Sequence, residues 1–390
     1  MVLLFQTDIL GSVIWFLLFF VMIFLYPRMM LAQLIYKLEE SATKMETMSQ
    51  QSIKMTLDKA VGKGKASKEL RTKVENFTDI FVVVPSSLDP FGVVRKIDQT
   101  IRGMEDRFDE FTDDISTSTD YHERQKLNYG LRAAVGLRQI SKMIRHYVET
   151  AKKFKNLQIA MIIQMQLPMI EKIAESELAG TEAFIQGWPV GDSIGPLAAA
   201  SLVEKSKEIA EDVVCGETMI QGRRCFVLKA KGPSPHLGRV DEAINTIMKK
   251  NKIARVITID AGLKLEGEKT GSVVEGIGFA MGGWAQREMI ENMLLPKNMP
   301  IDGVVVKVGM EEAIMPMSKD VYGAVPDVHR AVERAVQRAK KQEKVIIIGV
   351  GNSCGVGDTK KIVPGVEKIV QELHKKAEEA KKKQKKNKWF

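Results

Sequence analysis

No widely shared catalytic signature runs through this chain. It has no HExxH zinc helix, no GxSxG nucleophile elbow and no GxxxxGK[ST] phosphate loop, so the best-known hydrolases and nucleotide enzymes are disfavoured. Cysteine is scarce. Cys215, Cys225 and Cys354 stand apart, with no CxxC and no Cys/His spacing. That argues against a structural zinc and fits a reducing compartment. Cys215 and Cys225 bracket a turn, which allows a hairpin contact, although reduced core thiols are the plainer reading. A strong charge excess is missing from the body of the chain. The net charge is +9, but Lys375 to Lys388 holds eight lysines against two glutamates, and the remainder is nearly balanced. The overall basicity is therefore no argument for sequence-specific DNA binding, which is not expected.

Long apolar runs are lacking after residue 26, and that isolates the one present at the start. Ile9 to Tyr26 (ILGSVIWFLLFFVMIFLY) carries no charge and no proline. Its eighteen residues span roughly 27 Å as a helix, close to the ~30 Å hydrocarbon core of a bilayer. No Lys or Arg precedes it and no small-x-small cleavage site follows it, so it reads as a retained anchor rather than a signal peptide. Arg28 and Lys37 flank its C-terminal side. The positive-inside rule then expects a single-pass cell-membrane protein with its N-terminus outside and its bulk in the cytoplasm.

The remaining ~360 residues are enough for two domains. The expected division is an anchor at 1–27, a helical stalk at 28–80, a mostly helical domain at 81–187, an α/β domain at 188–372 and a basic tail at 373–390. Gly62 to Ser67 interrupts the stalk. Phe81 to Pro85 reads as extended, and Asp89-Pro90-Phe91-Gly92 turns into a helix from Val93 to about Asp109. Tyr121 to Gly180 is helical, with Leu137, Ile140, Ile144 and Val148 at three- and four-residue steps. Its helices also offer a surface for a homo-oligomer. After Gly187 short β-branched runs alternate with helices. Cys225–Lys229, Ala254–Asp260, Gly303–Val308 and Val345–Val350 are expected strands, and Leu197 to Ala210 is an expected helix. Unalternating runs such as VIIIGV suit strands buried on both faces. The fold class expected is α/β: a transmembrane helix, a helical domain, then a mainly parallel sheet with helices on both faces. Met219 to Phe226, with Gln221-Gly222 inside it, reads as an edge hairpin.

Ligands in such sheets bind at the carboxyl ends of strands. Asp260 ends one strand, and the Gly349-Val350-Gly351-Asn352 corner ends another. Gly191-Asp192-Ser193-Ile194-Gly195-Pro196 opens a helix, where Asp192 also suits an N-cap. Gly191, Ser193, Gly349, Gly351 and Asn352 are thus candidate ligand-binding positions, since their amides could approach an anion. Gly349-x-Gly351 falls short of a dinucleotide fingerprint. Asp192 and Asp260 are candidate oxygen ligands of a divalent metal ion, with His236 and Glu268 as candidates for the rest of the shell.

The GDxxGP corner at Gly191–Pro196 resembles that of the hydrogenase-maturation and spore-germination protease group. In that group it follows a strand ending in G-x-G-N, and a later strand ends in D-A. This chain has both pieces, at Gly349–Asn352 and Asp260-Ala261, but the G-x-G-N strand comes last, so a circular permutation is needed. The whole chain resembles an archaeal family of uncharacterised membrane-anchored proteins, through the anchor, Val84-Pro85, Asp89–Gly92 and the run Lys264–Val273. The first resemblance implies a metal-dependent, peptidase-like hydrolase. The alternative is a non-catalytic, membrane-tethered scaffold or anion- and nucleotide-binding protein. The basic tail, ending Trp389-Phe390, is a candidate contact for anionic lipid or RNA.

Overall fold

The computed structural model describes residues 2–83 and 92–387. The expected Val84-Pro85 end and the Asp89–Phe91 turn lie outside those residues, and Phe81 to Val83 form neither helix nor strand. Helix α1 (Val2–Phe20) passes through a π-helical turn (Val21–Leu25) into α2 (Tyr26–Val61). Among the described residues this is the one helix long and apolar enough to cross a membrane. α3 (Lys68–Phe77), α4 (Val93–Ile115), α5 (Tyr121–Phe154) and α6 (Leu157–Gln186) follow. Ser67 caps α3 by accepting the Leu70 N–H, which places the break at the GKGKAS segment.

The chain divides into two compact units. One comprises Met1–Gln51 with Gly136–Glu175, and the other Ser52–Val135 with Ser176–Phe390. In the first, α2 is tied to α5 by Arg145 pairing with Glu39 and Glu46, and to α6 by Lys44 pairing with Glu175 at 2.7 Å. In the second, Ile53, Leu57, Phe108, Leu127 and Leu131 form a helical core alongside the sheet domain.

The sheet domain begins with a 3-10 turn (Gly191–Ser193) and α7 (Ile194–Ala200). Then come β1 (Ser206–Ala210), β2 (Val213–Ile220), β3 (Arg223–Ala230), α8 (Val240–Lys250), β4 (Ile253–Leu263), β5 (Val273–Ile277) and α9 (Trp284–Leu294). β6 (Ile301–Val308), α10 (Lys319–Tyr322), α11 (Val325–Gln337), β7 (Lys344–Gly349) and α12 (Val363–Asn387) complete it. The strand order is β1-β2-β3-β7-β4-β6-β5.

The sheet is mixed, which corrects the mainly parallel expectation. β3, β7, β4 and β6 pair in parallel, while β1–β2, β2–β3 and β5–β6 are antiparallel. The additions flank the parallel core: β1 and β2 extend one side, β2 joined to β3 by the Gln221-Gly222 hairpin turn, and β5, from the Gly-rich loop after Leu263, forms the other edge. The expected helix Leu197–Ala210 is a second correction. It stops at Ala200, because Ser206–Ala210 gains a ladder of backbone hydrogen bonds along β2.

β7 shows why its sequence lacks alternation. Val345 and Ile347 join a core with α7, α11 and α12, while Ile346 and Ile348 join another with α8 and α9. Helices therefore cover both faces. From the carboxyl end of β4 the chain passes through β5 to α9 on one face, and from that of β7 it passes to α12 on the other. Diverging exits open a crevice between the two strand ends.

Candidate active site

That crevice is filled by the Gly191–Gly195 corner. Its backbone is fixed from outside, with the Gly191 N–H donating to Met315 O at 3.0 Å and the Asp192 N–H to Ala313 O at 2.7 Å. α7 then lies so close to the strand ends that a Cβ on Gly195 would strike the carbonyls of Val350 and Ile259. Gly351, at φ +119°, likewise leaves room for the Asp192 carbonyl, and a side chain there would meet it.

The structure brings Asp192, Asp260 and the Gly349–Asn352 corner together. The Asn352 N–H donates to Asp192 Oδ2 at 2.7 Å, and the Val350 N–H to Ile259 O at 2.8 Å. Asp192 keeps some exposed surface, yet its carboxyl group is desolvated. Burial pushes its pKa up, against the pull of the Asn352 amide. Asp260 is buried, and its pKa is pushed up to about 7, first by burial and then by the Asp192 charge. The amides of Ala261 and Gly282 oppose the shift. Among the described residues neither carboxylate stands in an ion pair. Two desolvated carboxylates that repel each other call for a shared proton or an added cation.

The other two proposed metal ligands are elsewhere engaged. His236 is buried, with Nδ1 3.2 Å from Asp212 Oδ2 and its ring stacked on Tyr121 at 5.8 Å. Glu268 accepts from the Leu265 N–H at 2.7 Å and pairs with Lys307 at 3.2 Å. No group of three His, Cys, Asp or Glu side chains among the described residues is placed to hold a metal ion. The amides of the glycine corner also have internal partners. Besides Val350 and Asn352, the Ser353 N–H reaches His236 O and the Cys354 N–H reaches Asn352 Oδ1. The Ser193 N–H bonds Val190 O, and the Ser193 hydroxyl accepts from the Val190 N–H and donates to Cys354 O. Asp192 does not cap α7; its carboxylate reaches across to Asn352 in the corner that follows β7 instead. All three cysteines are free and buried.

Two features escaped the sequence reading. Lys229, the charged residue at the end of the apolar run CFVLK, is only 2% exposed. Its ammonium donates to Asp358 Oδ1 at 2.7 Å, which also accepts the Gly232 N–H at 2.8 Å. Burial lowers the Lys229 pKa and Asp358 partly restores it. The lysine inside a buried strand was the available signal. The second is a cavity of about 710 Å³, lined by Asp109, Tyr121, Asp212, His236 and Gly283 among others. Burial alone would raise the Asp212 carboxyl, but His236 and then the Tyr121 hydroxyl hold it below its usual range. Gly282 bonds Asp260 and Gly283 lines the cavity, so the acid pair and the cavity are one residue apart along this loop. No local spacing links residues so distant in the chain.

Fold and site together define an α/β domain with a buried acid pair at a strand-end crevice, in a chain that begins with a potential membrane-spanning helix. The N-terminal domain of the DUF1512 family, a protein of unknown function, matches residues 12–187, and its C-terminal domain, also of unknown function, matches residues 190–357. The chain belongs to the DUF1512 family. Neither a curated protein nor a solved structure matches it.

Proposed function

We propose that this protein is a single-pass membrane protein, N-terminus outside and bulk cytoplasmic, whose α/β domain is a divalent-cation-dependent, peptidase-like hydrolase. The observation that carries the catalytic reading is the pairing of two desolvated carboxylates, Asp192 and Asp260, with no cationic partner among the described residues. Two carboxylates with the remaining positions left to water suit a hard cation such as Mg²⁺. A cation there supplies Lewis-acid activation of water. The chain's own amides hold the carboxylates: Asn352 fixes Asp192, while Ala261 and Gly282 fix Asp260. The adjacent cavity gives a substrate room. The side-by-side placement of the Asp192 corner and the G-x-G-N strand supports the permuted protease-group reading of the sequence. The internal bonds of the Val350 and Asn352 amides weigh against the rival anion-cradle reading, since those two donors are already engaged.

The test is Mn²⁺ binding to the full chain in detergent, followed by loss of the free-ion electron paramagnetic resonance signal. Saturable one-to-one binding that disappears in Asp260→Asn, with thermal stability retained, is expected. Absence of saturable binding in the parent chain sinks the proposal. The basic end of α12 we assign to anionic lipid rather than RNA, because the anchor keeps it within reach of a membrane. Truncation after His374 should then weaken binding of an anchor-less chain to anionic vesicles.

A further inference from the structure

We propose that the cavity of about 710 Å³ is a binding site for a linear aliphatic polyamine. It lies within one compact unit, lined by α4, the start of α5 and the loops that carry Asp212, His236 and Gly283. The pattern of α4 sets its charge. Met104, Phe108 and Phe111 turn into the helical core, which leaves Asp98, Glu105, Asp109 and Thr112, at helical spacing, on the cavity wall.

Seven carboxylates and four arginines line the cavity. Three of the arginines are already engaged: Arg102 with Asp98 at 3.0 Å, Arg124 with Asp113 at 2.9 Å, and Arg239 with Glu105. Arg132 is held by Asn128 and by the rings of Phe108 and Tyr129 rather than by a carboxylate. Asp106 and Glu211 are exposed and stand in no ion pair among the described residues, and Asp109 accepts from the Asn128 amide at 2.6 Å. Negative charge is therefore left over. Burial raises the carboxyl pKa of both Glu105 and Asp109, and neighbouring carboxylates push the same way against Arg132.

A second observation points to a ligand. Thr56, Thr100, Thr181 and Thr246 each return the hydroxyl to the carbonyl four residues back. Thr112 does not. It lines the cavity, is 2% exposed, and its hydroxyl has no hydrogen-bond partner among the described residues. A buried hydroxyl left so costs free energy until something bonds to it. Size and spacing then select the ligand. No three acidic, His or Cys side chains among the described residues are placed to hold a metal ion, so charge spread around so large a space suits an extended cation. Glu105 and Asp109 are separated by about 6 Å along the α4 axis, the separation of ammonium groups joined by a butyl chain. Tyr121 and Tyr129 offer ring surface to methylenes and ammonium groups. The inference does not rest on the hydrolase reading and stands even where Asp192 and Asp260 hold no cation.

The experiment is isothermal titration of the full chain, in a non-ionic detergent, with spermidine. Saturable one-to-one binding is expected, with none of 1,8-octanediol, an uncharged chain of similar length. Asp106→Asn combined with Glu211→Gln should weaken spermidine binding about tenfold. Thr112→Val should weaken it about fivefold, with thermal stability kept or raised. Glu69→Gln combined with Glu372→Gln, exposed acids outside the cavity, should leave it unchanged. No saturable binding by the parent chain, or equal weakening by that control pair, overturns the inference. So does tighter binding of a dilysine peptide amide than of spermidine, which would assign the cavity to a peptide.

Discussion

Replacing Gly195 by alanine separates packing from helix propensity. In an open helix the change is favourable by about 1 kcal/mol. At Gly195 the new Cβ would lie 2.5 Å from Ile259 O and 2.9 Å from Val350 N, and closer still to Val350 O. All three are main-chain atoms of the central strands and their exit. They cannot retreat without straining the 2.8 Å bond from Val350 N–H to Ile259 O. Overpacking of this kind typically costs 1–3 kcal/mol, and more where the obstacle is backbone. After the propensity gain is subtracted, a net loss of about 2 kcal/mol remains. For a domain of this size that lowers Tm by roughly 4–8 °C. Gly103, exposed in α4 with nothing within 4 Å of its notional Cβ, is the matched control. Its alanine variant should raise stability by about 0.5–1 kcal/mol. Thermal unfolding of the full chain in detergent, followed by circular dichroism, reads both. A Gly195→Ala protein as stable as its parent would show that α7 does not sit against the strand ends as described.

Glu177 has a pKa pushed up to about 7 by burial alone. The folded state therefore holds a proton that the unfolded state releases from about pH 4.5, so this residue's contribution to stability falls as pH rises to 7 and is flat above. Glu177→Gln should remove that slope and stabilise the protein by up to about 3 kcal/mol at pH 8, less whatever its remaining exposure screens; an unchanged pH profile in urea titrations refutes the assignment. The Lys229–Asp358 pair should break asymmetrically. Asp358→Ala strands an ammonium that is 2% exposed and should cost about 3 kcal/mol, whereas Lys229→Met leaves a carboxylate that is 24% exposed and still bonded to Gly232, at about 1 kcal/mol. The reverse order in chemical denaturation would contradict the burial argument.

What the sequence revealed follows from range. The central strands announce themselves because burial on both faces requires unbroken apolar runs, as in Val345–Ile348, and the N-terminal helix does so because its apolar run is long and free of charge. Edge strands carry no such mark. Ser206–Ala210 reads SKEIA, and its conformation is decided by hydrogen bonds to β2 rather than by its own residues. Val273–Ile277 lies within a glycine-rich loop and is largely exposed, so its pairing with β6 is equally silent in the sequence. The acid pair was legible because Asp192 and Asp260 each sit where a strand or a glycine corner ends. The partners of His236, Asp212 and Tyr121, lie 24 and 115 positions upstream and share no spacing with it, so its buried surroundings left no local mark in the sequence.

The chain order of the site has a consequence for how it forms. Asp192 precedes the first strand, and Asn352 follows the last, yet one hydrogen bond joins them across 160 residues. β7 enters the sheet between β3 and β4, which precede it in the chain. Until it does, β3 and β4 have no partner on those edges, and the Asp192 carboxylate lacks its amide. Loop closure over such separations is slow and is offset only when the whole parallel core closes. The site is thus coupled to insertion of the final strand. A chain ending before Lys344 retains both aspartates but not the crevice that holds them, and should bind no cation even where its helices persist. Mn²⁺ binding by such a truncated chain at the parent's affinity would mean that the carboxylates organise themselves without β7, against the geometry described.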